Sequence, residues 1–469
     1  MANTIIVSPS LTTEGDASGN LFVFASGALS GSTIVGGAGK DTVEMNSGNS
    51  AVASVDINTK GGQDSIAISA TEFSGSTIKL GAGADTLSFS GASGALDTFY
   101  GGDGNDVLDI NAAIDISTIL LGAGADVLTG AAAVSASGAS IKLGAGNDTV
   151  VMTAGELASA TILGGGGADS ISLDIDAAST AVKIASDAAG VVGADTITFY
   201  NTALTLDEPN LQGAGGADVI NFNGAGDLAG TGKILGNAGG DAITLSATTF
   251  SAADGLTIGG GQGNDTITLD EFGSAGSGAF VIGGGGADSI ILDANDGGSA
   301  GAVSAGGGYG SIIGGAGADS IVFSGDLAAS AGAGGVLVFS SVSDSTESKM
   351  DIVSFTAGAG EGAFLLNLAM SDNVAGNATD ADLGLRISAG VVQSAGGTNF
   401  GDMISASDTL ITTTGRAGVF AHSGDAYVFV QGGSTDLVVR FDSQDSMSAG
   451  DLAITQIASG DFRLNLTSD

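Results

Sequence analysis

Large apolar side chains recur at fixed distances from an aspartate between residues 34 and about 323. The residue two positions after the aspartate is always aliphatic, and four positions after it twelve of thirteen residues are large and apolar. Seven positions before it, twelve of thirteen are again apolar. Apolar residues two apart indicate strands with one buried face. The aspartates that anchor the pattern are Asp41, Asp64, Asp85, Asp106, Asp126, Asp148, Asp169, Asp195, Asp218, Asp241, Asp265, Asp288 and Asp319.

Each repeat predicts a strand, a glycine-rich corner, a second strand and a longer return loop. Residues 78–80, 81–85 and 86–89 form one such series. A single coil cannot bury its apolar face, whereas coils stacked in parallel align these faces into a continuous interior. The pattern therefore predicts an all-β chain whose main part is a parallel, β-roll-like β-solenoid of about thirteen coils, each with one Gly/Asp corner.

The composition agrees with tight corners. The chain has 83 glycines and 2 prolines among 469 residues, and the glycines do not follow the period of three that collagen requires. Glycine at a corner lets the backbone take a positive φ and lets neighbouring turns approach closely. Prolines this scarce argue against a disordered linker.

The corners resemble the nonapeptide repeat of RTX proteins, in which two glycines, a further glycine and an aspartate precede a large apolar residue. In residues 101–109, Gly101, Gly102, Gly104, Asp106 and Leu108 occupy these five positions. The resemblance implies calcium held between neighbouring coils by the aspartate and the corner carbonyl groups. Because oxygen ligands suit a hard cation of this size, the expected calcium-binding residues are Asp41, Asp85, Asp106, Asp126, Asp148, Asp169, Asp218, Asp265, Asp288 and Asp319.

The sequence also departs from the RTX pattern. Tandem RTX repeats place one turn every nine residues, at both edges of the roll, whereas here one corner serves a coil of about 23 residues, so calcium is expected along one edge only. The corners of Asp64 and Asp195 lack full glycine sets, and with Asp241 they are left out of the expected sites. The alternative at every corner is a metal-free glycine turn whose aspartate bonds local amides.

Three regions are predicted: a capping segment at 1–33, the RTX-like solenoid at 34–329 and a β-rich assembly or export domain at 330–469. Runs at 336–339, 427–430 and 437–441 predict strands of a β-sandwich-like fold. The stretch from Gly424 to Val430, followed by residues 436–439, is similar to the C-terminal module of RTX cargo of type I secretion. That resemblance implies an uncleaved C-terminal export signal, which agrees with an N-terminus lacking the basic and apolar parts of a cleavable one.

Charge and residue types exclude several functions. The chain has 51 acidic and 11 basic residues, and its formal net charge is -40. A charge of this sign and size is unsuited to binding nucleic acid. The acidity suits either a solvated surface in salty water or an array of cation sites. No apolar run is long enough to span a membrane. The chain has no cysteine and a single histidine, His422, which is expected in a surface turn, so we expect no enzyme activity.

The leading hypothesis is a structural or adhesive surface protein, S-layer or matrix-like, exported and then made rigid by calcium. We expect it to be extracellular or on the cell surface and to self-assemble as a homo-oligomer, filament or lattice, with surface glycans or a host surface as candidate partners. The alternative is a virion component such as a bacteriophage fibre, horn or capsid decoration. A third hypothesis is the passenger part of a secreted enzyme.

Overall fold

The structure is a computed structural model. It describes residues 3–24, 27–46, 48–49, 51–130, 134–153, 155–174, 179–187, 193–200, 205–224, 227–246, 255–270, 279–293, 311–324, 336–339, 345–346, 349–355, 362–368, 373–374, 378–380, 385–388, 391–394, 400, 403–405, 407, 411, 416–432, 436–442, 452–458 and 461–466.

The chain is all-β and contains a parallel β-solenoid of about eleven turns, close to the thirteen coils predicted. It divides into two compact units, Met1–Asp227 and Leu228–Asp469. Each unit is described below by itself.

The first unit consists of strands that recur two or three to a coil. They are β1 (Asn3–Val7), β2 (Thr12–Glu14), β3 (Asn20–Phe24), β4 (Leu29–Ser30), β5 (Thr33–Val35), β6 (Thr42–Met45), β7 (Val52–Ala53), β8 (Asp56–Asn58), β9 (Ser65–Ile68), β10 (Glu72–Ser74), β11 (Thr77–Ala82), β12 (Thr86–Asp103), β13 (Val107–Ala123), β14 (Val127–Gly130), β15 (Val134–Ser135), β16 (Ser140–Ala145), β17 (Thr149–Thr153), β18 (Gly155–Glu156), β19 (Thr161–Gly166), β20 (Ser170–Asp174), β21 (Ser179–Thr180), β22 (Lys183–Asp187), β23 (Thr196–Phe199), β24 (Thr205–Asp207), β25 (Asn210–Gly215) and β26 (Val219–Phe222).

Equivalent strands of successive coils pair in parallel and in register. Before the corner, Ile34 of β5 pairs with Ile57 of β8, which pairs with Ile78 of β11. After the corner, Val43 of β6 pairs with Ile66 of β9. The predicted column two residues after the aspartate is buried in every coil, at 0–1% exposure. These stacked side chains form the core that a single coil cannot form alone.

One coil departs from the fixed spacing used in the sequence prediction. Seven residues before Asp195 stands Ala188, which lies outside the described residues. The strand place is instead taken by Ile184, which pairs with Ile162 of β19 and with Leu211 of β25. The chain between Ile184 and Asp195 is therefore longer than in other coils, and the buried column remains continuous.

The corners require glycine at two places, four and two residues before the aspartate. Gly81 and Gly83 have φ of 110° and 149°, and a Cβ on Gly83 would overlap the carbonyl oxygen of Gly62 in the preceding coil. Both the backbone conformation and the close stacking thus exclude most side chains. At the first of these places, Ala214 has a φ of 77°, which a residue with a Cβ adopts only at a cost.

The second unit begins with β27 (Asp227–Ala229), at the boundary between the units. Its other strands are β28 (Lys233–Ala238), β29 (Ala242–Leu245), β30 (Thr257–Gln262), β31 (Thr266–Asp270), β32 (Phe280–Gly285), β33 (Ser289–Asp293), β34 (Ser311–Ala316), β35 (Ser320–Ser324), β36 (Val336–Phe339), β37 (Asp351–Phe355), β38 (Gly362–Leu368), β39 (Asn373–Val374), β40 (Ala378–Asp380), β41 (Leu385–Ser388), β42 (Val391–Ser394), β43 (Arg416–His422), β44 (Asp425–Val430), β45 (Leu437–Asp442), β46 (Leu452–Ala458) and β47 (Asp461–Leu466).

Parallel pairing in the second unit continues beyond residue 329, the predicted end of the solenoid. β34 pairs with β36, and β35 pairs with β37, both in parallel. The chain then changes to antiparallel pairing in the series β43, β44 and β45, and β37 pairs in parallel with β45. The strands predicted at 336–339, 427–430 and 437–441 are confirmed. The first continues the parallel pairing, and the antiparallel strands fit a sheet-like domain.

The C-terminal strands enclose a small apolar core. It contains Met403, Ile404, Ile411, Phe420, Tyr427, Phe429 and Val438. Within this sheet, Arg440 Nε of β45 donates to Asp425 Oδ2 of β44 at 3.0 Å, a partly exposed ion pair that adds little stability. His422 lies at the end of β43, with its ring 5.8 Å from that of Phe400. In the part of the chain that is described, no helix has the length and apolar character needed to cross a membrane.

We predict that Ala214→Gly stabilises the protein by about 1 kcal/mol, because glycine removes the cost of a Cβ at positive φ. Thermal unfolding of the two proteins measures the difference. Ala82→Gly is the matched control, since Ala82 is also in a corner but does not have a positive φ. The control is expected to be neutral or slightly destabilising, and equal effects of the two substitutions would contradict the prediction.

Candidate functional site: the buried aspartate ladders

All thirteen predicted aspartates lie inside the corners and are almost inaccessible. Each is 0–2% exposed, including Asp64, Asp195 and Asp241, which the sequence analysis had left out. The side chain points inward because the aspartate and the aliphatic residue two positions later lie on the same face of the strand. The ten residues expected to bind calcium are therefore brought into rows, one carboxylate per coil.

In the first unit, one hydrogen bond links each aspartate to the next, and we call this row the first ladder. The backbone N–H of one aspartate donates to Oδ1 of the aspartate in the following coil, across 20 to 26 residues. The N···O distances are 2.7 Å for Asp41–Asp64, 2.6 Å for Asp64–Asp85, 3.0 Å for Asp85–Asp106, 2.7 Å for Asp106–Asp126, 2.8 Å for Asp126–Asp148, 2.9 Å for Asp148–Asp169, 2.6 Å for Asp169–Asp195 and 2.9 Å for Asp195–Asp218.

The second unit contains a row of the same kind, the second ladder. The amide-to-Oδ1 distances are 2.8 Å for Asp241–Asp265, 2.9 Å for Asp265–Asp288, 2.9 Å for Asp288–Asp319 and 3.0 Å for Asp319–Asp351. In both ladders Oδ1 is thus engaged by an amide of a neighbouring coil. The metal-free alternative foresaw amide bonds to each aspartate but placed them within the same turn.

Asn20 and Asp351 belong to the ladders but were not found from the sequence. Asn20 occupies the first place of the first ladder, and its N–H and its Nδ2 donate to Asp41 Oδ1 at 2.7 and 2.8 Å. Asp351 follows Asp319 in the second ladder, and Ser345 Oγ accepts its N–H at 2.8 Å. Both residues are followed by apolar residues two and four positions later, which was the available signal. Neither residue was predicted, because neither ends a glycine-rich corner of the repeat.

The second carboxylate oxygen is the unusual atom of the site. In Asp85, Asp106, Asp126, Asp148, Asp265 and Asp288, Oδ2 is buried and accepts no hydrogen bond. A buried carboxylate oxygen without a partner is costly if the group is ionised. This oxygen is therefore the place at which a proton or a cation would be taken up.

Burial raises the pKa of eight ladder aspartates. Desolvation is the main cause, and neighbouring aspartates add to it, so that the pKa reaches about 7 for Asp106 and Asp288 and about 6 for Asp64 and Asp148. The hydrogen bond from the neighbouring amide opposes the shift. The pKa values of Asp85, Asp126, Asp195 and Asp265 are raised for the same reason.

The electrostatic repulsion between neighbouring carboxylates of a ladder is large. Strands in a sheet are about 4.8 Å apart, and two unit charges at that distance repel by roughly 3 kcal/mol at an effective dielectric constant of about 20. Most carboxylates have two such neighbours. A fully ionised ladder without counter-ions is therefore strongly disfavoured, and either protons or cations must neutralise part of it.

The ladders offer oxygen ligands to a cation, but the arrangement of the side chains limits how many of them one ion could contact. The unpartnered Oδ2 atoms are hard oxygen donors of the kind that calcium prefers. Among the described residues, no three acidic or histidine side chains converge as a metal-binding group. A calcium ion would therefore take one carboxylate oxygen from a coil and complete its ligand set with backbone carbonyl oxygens, as the RTX resemblance implies.

No protein-family pattern matches this chain, and no curated protein is similar to it.

We predict that, without divalent cations, stability falls as pH rises. A ladder aspartate has a pKa near 3.8 when unfolded and up to about 7 when folded, so folding takes up protons between these values. Its contribution is complete below about pH 4, is lost as pH rises to about 7, and then levels off. For Asp106 the loss is on the order of a few kcal/mol. Thermal unfolding in a chelator from pH 4 to 8 measures it.

The variant Asp106→Asn tests whether the ladder aspartates cause this pH dependence of stability. Asparagine keeps an oxygen for the Asp85 amide but does not titrate, so the pH dependence should become shallower and stability at pH 8 should not fall. Asp115→Asn is the control, since it removes an exposed charge from β13 outside the corner. A stability that increases from pH 4 to 7 in the wild-type protein would refute the prediction.

Proposed function

We propose that this protein is a non-enzymatic structural scaffold of a cell surface, S-layer or matrix-like, whose solenoid is stabilised by calcium along the aspartate ladders. The proposal depends on one observation: Oδ2 is buried and accepts no hydrogen bond in Asp85, Asp106, Asp126, Asp148, Asp265 and Asp288. Without cations, such a scaffold would be destabilised at neutral pH, because ionised carboxylates repel one another along each ladder.

Calcium would provide the missing neutralisation outside the cell. Extracellular calcium modules operate at dissociation constants of about 10⁻⁴–10⁻³ M, a range in which a cytosolic chain stays unloaded. In this proposal the chain is exported while its ladders are destabilised, and it becomes rigid on meeting calcium. The ten expected residues would supply one carboxylate oxygen per coil. Calcium bound there would neutralise the ladder and link neighbouring coils.

We predict that calcium raises the thermal stability at pH 7.5 and that a chelator lowers it. Each site at a hundredfold excess of calcium over its dissociation constant adds about 2.7 kcal/mol, so several sites should shift the unfolding temperature by more than 10 °C. Circular dichroism on heating, at low ionic strength, measures the shift. Magnesium is the control, since it demands a more rigid octahedral site. Identical unfolding curves with calcium and with chelator would overturn the proposal.

Self-assembly is the second part of the proposal. Two of the most exposed large apolar residues of the described chain are Ile6 on β1, at 70%, and Leu11, at 58%. Burying exposed apolar side chains such as these against another protein surface is favourable. We propose that Ile6 and Leu11 contact a second copy of the chain.

We predict that the protein forms oligomers in calcium and that Ile6→Lys reduces them, because a charged group would have to lose its water at the contact. Sedimentation velocity at several protein concentrations measures the effect. Tyr200→Lys is the control, since Tyr200 is exposed at 52% elsewhere on the surface. A protein that stays monomeric in calcium at every concentration would remove this part of the proposal.

A further inference from the structure

Each aspartate ladder has a direction. The backbone N–H of one member donates to the carboxylate of the member in the following coil, as from Asp41 to Asp64 and from Asp319 to Asp351. The first side chain of a ladder therefore adjoins a carboxylate on one side only, and the last N–H meets no further carboxylate. A buried polar group without a partner is costly, so each end needs a group of its own to satisfy it.

Asn20, at the start of the first ladder, uses every hydrogen-bonding position of its buried carboxamide. Oδ1 accepts the N–H of Asp16 at 3.2 Å, and Nδ2 donates to the carbonyl oxygen of Asp16 at 2.9 Å. Nδ2 also donates to Asp41 Oδ1 at 2.8 Å, beside the backbone bond to the same oxygen at 2.7 Å. An ionised aspartate at this place would have no hydrogen to donate, so the amide is the group that fits.

Both carboxylate oxygens of Asp41 are engaged as a result. Oδ1 accepts the two bonds from Asn20, and Oδ2 accepts the N–H of Gly37, in its own corner, at 2.7 Å. In Asp85 and Asp106, by contrast, Oδ2 is buried and accepts no hydrogen bond. An N–H directed at Oδ2 places the positive end of its dipole where a cation would approach. Asp41 is therefore a poorer calcium ligand than the aspartates inside the ladder.

The second ladder ends on a side-chain acceptor. Ser345 Oγ accepts the N–H of Asp351 at 2.8 Å and donates its own hydrogen to the carbonyl oxygen of Val438. The serine is buried, and its backbone carbonyl oxygen accepts the N–H of Val438 at 3.0 Å. The hydroxyl oxygen thus takes the part that a carboxylate oxygen has within the ladder, and it joins this end to β45.

We infer that Asn20 and Ser345 are end caps of the aspartate ladders, and that the capped Asp41 completes its coil without a calcium ion. Each cap supplies what its end lacks, which is hydrogen-bond donors beside the first carboxylate and an acceptor for the last N–H. Side chains at the ends of α-helices satisfy unpaired backbone groups in the same way. The statement on Asp41 rests on the proposed calcium binding and removes this residue from the ten expected sites, whereas the caps rest on hydrogen bonds alone.

The same substitution in two coils compares a capped aspartate with an uncapped one. Native mass spectrometry of the full chain, titrated with calcium, counts bound ions, and thermal unfolding at pH 8 in a chelator follows stability. Asp41→Asn should bind as many ions as the wild-type protein. It should lose about 3 °C of unfolding temperature, because an amide nitrogen would replace the acceptor of the Gly37 N–H. Asp106→Asn should bind one ion fewer and lose no stability in the chelator.

Variants of the caps test the donors and the acceptor directly. Asn20→Asp should lower the unfolding temperature in the chelator by several degrees, because two buried carboxylates would face each other without the N–H bond between them. Asn58→Asp is the matched control, since it adds the same charge at an exposed position of β8. Ser345→Ala should lower the unfolding temperature equally in calcium and in chelator, because the Asp351 N–H loses its acceptor in both.

The possible failures can be told apart. One ion fewer in Asp41→Asn, with a calcium-binding wild type, would overturn the statement on Asp41 and leave the proposed function intact. Equal losses in Asn20→Asp and Asn58→Asp, or an unchanged Ser345→Ala, would overturn the corresponding cap. A wild type that binds no calcium would overturn the calcium part of the proposed function, and the caps would then be decided by unfolding in the chelator.

Discussion

The amide-to-carboxylate hydrogen bond between successive aspartates is the constraint on which each solenoid segment depends. It links backbone and side chain of residues 20 to 32 positions apart, for example Asp85 with Asp106 and Asp319 with Asp351. Every coil must return its aspartate to the same place, whatever its length. Length differences therefore fall in the return loops or, after Ile184, in the segment that leads to Asp195. The apolar columns remain continuous because the ladder fixes their register.

The glycine content follows from the same constraint. An inward-pointing aspartate at the end of a corner requires a backbone that turns within a few residues, and positive φ at Gly81 and Gly83 provides this. Neighbouring corners then stack so closely that the Cα of Gly83 faces the carbonyl oxygen of Gly62. Where the chain departs from glycine, as at Ala214 and Asn237, it accepts an unfavourable backbone conformation and keeps the register.

Much of the fold could be predicted because burial selects side-chain type with a period of two. The columns represented by Val43 and Ile34 are visible in the sequence for that reason. The alignment of the columns around Ala188 could not be predicted, because the prediction used a fixed distance of seven residues between the apolar residue and the aspartate. The ends of the ladders at Asn20 and Asp351 were missed because they share the apolar pattern but not the corner. No sequence pattern indicates which carboxylate oxygen accepts an amide, so the unpartnered Oδ2 required a structure.

A proton and, in the proposed function, a calcium ion would neutralise the same carboxylate oxygen, so the charge of the protein would depend on the pH and the calcium concentration around it. A pKa of about 7 at Asp106 and Asp288 means that neutral pH lies where the proton begins to leave. Because each departing proton leaves a charge that repels its neighbours, the ladder loses protons as a coupled row. The protons therefore leave over a wide pH range, and the demand for a cation rises gradually as pH increases past neutrality.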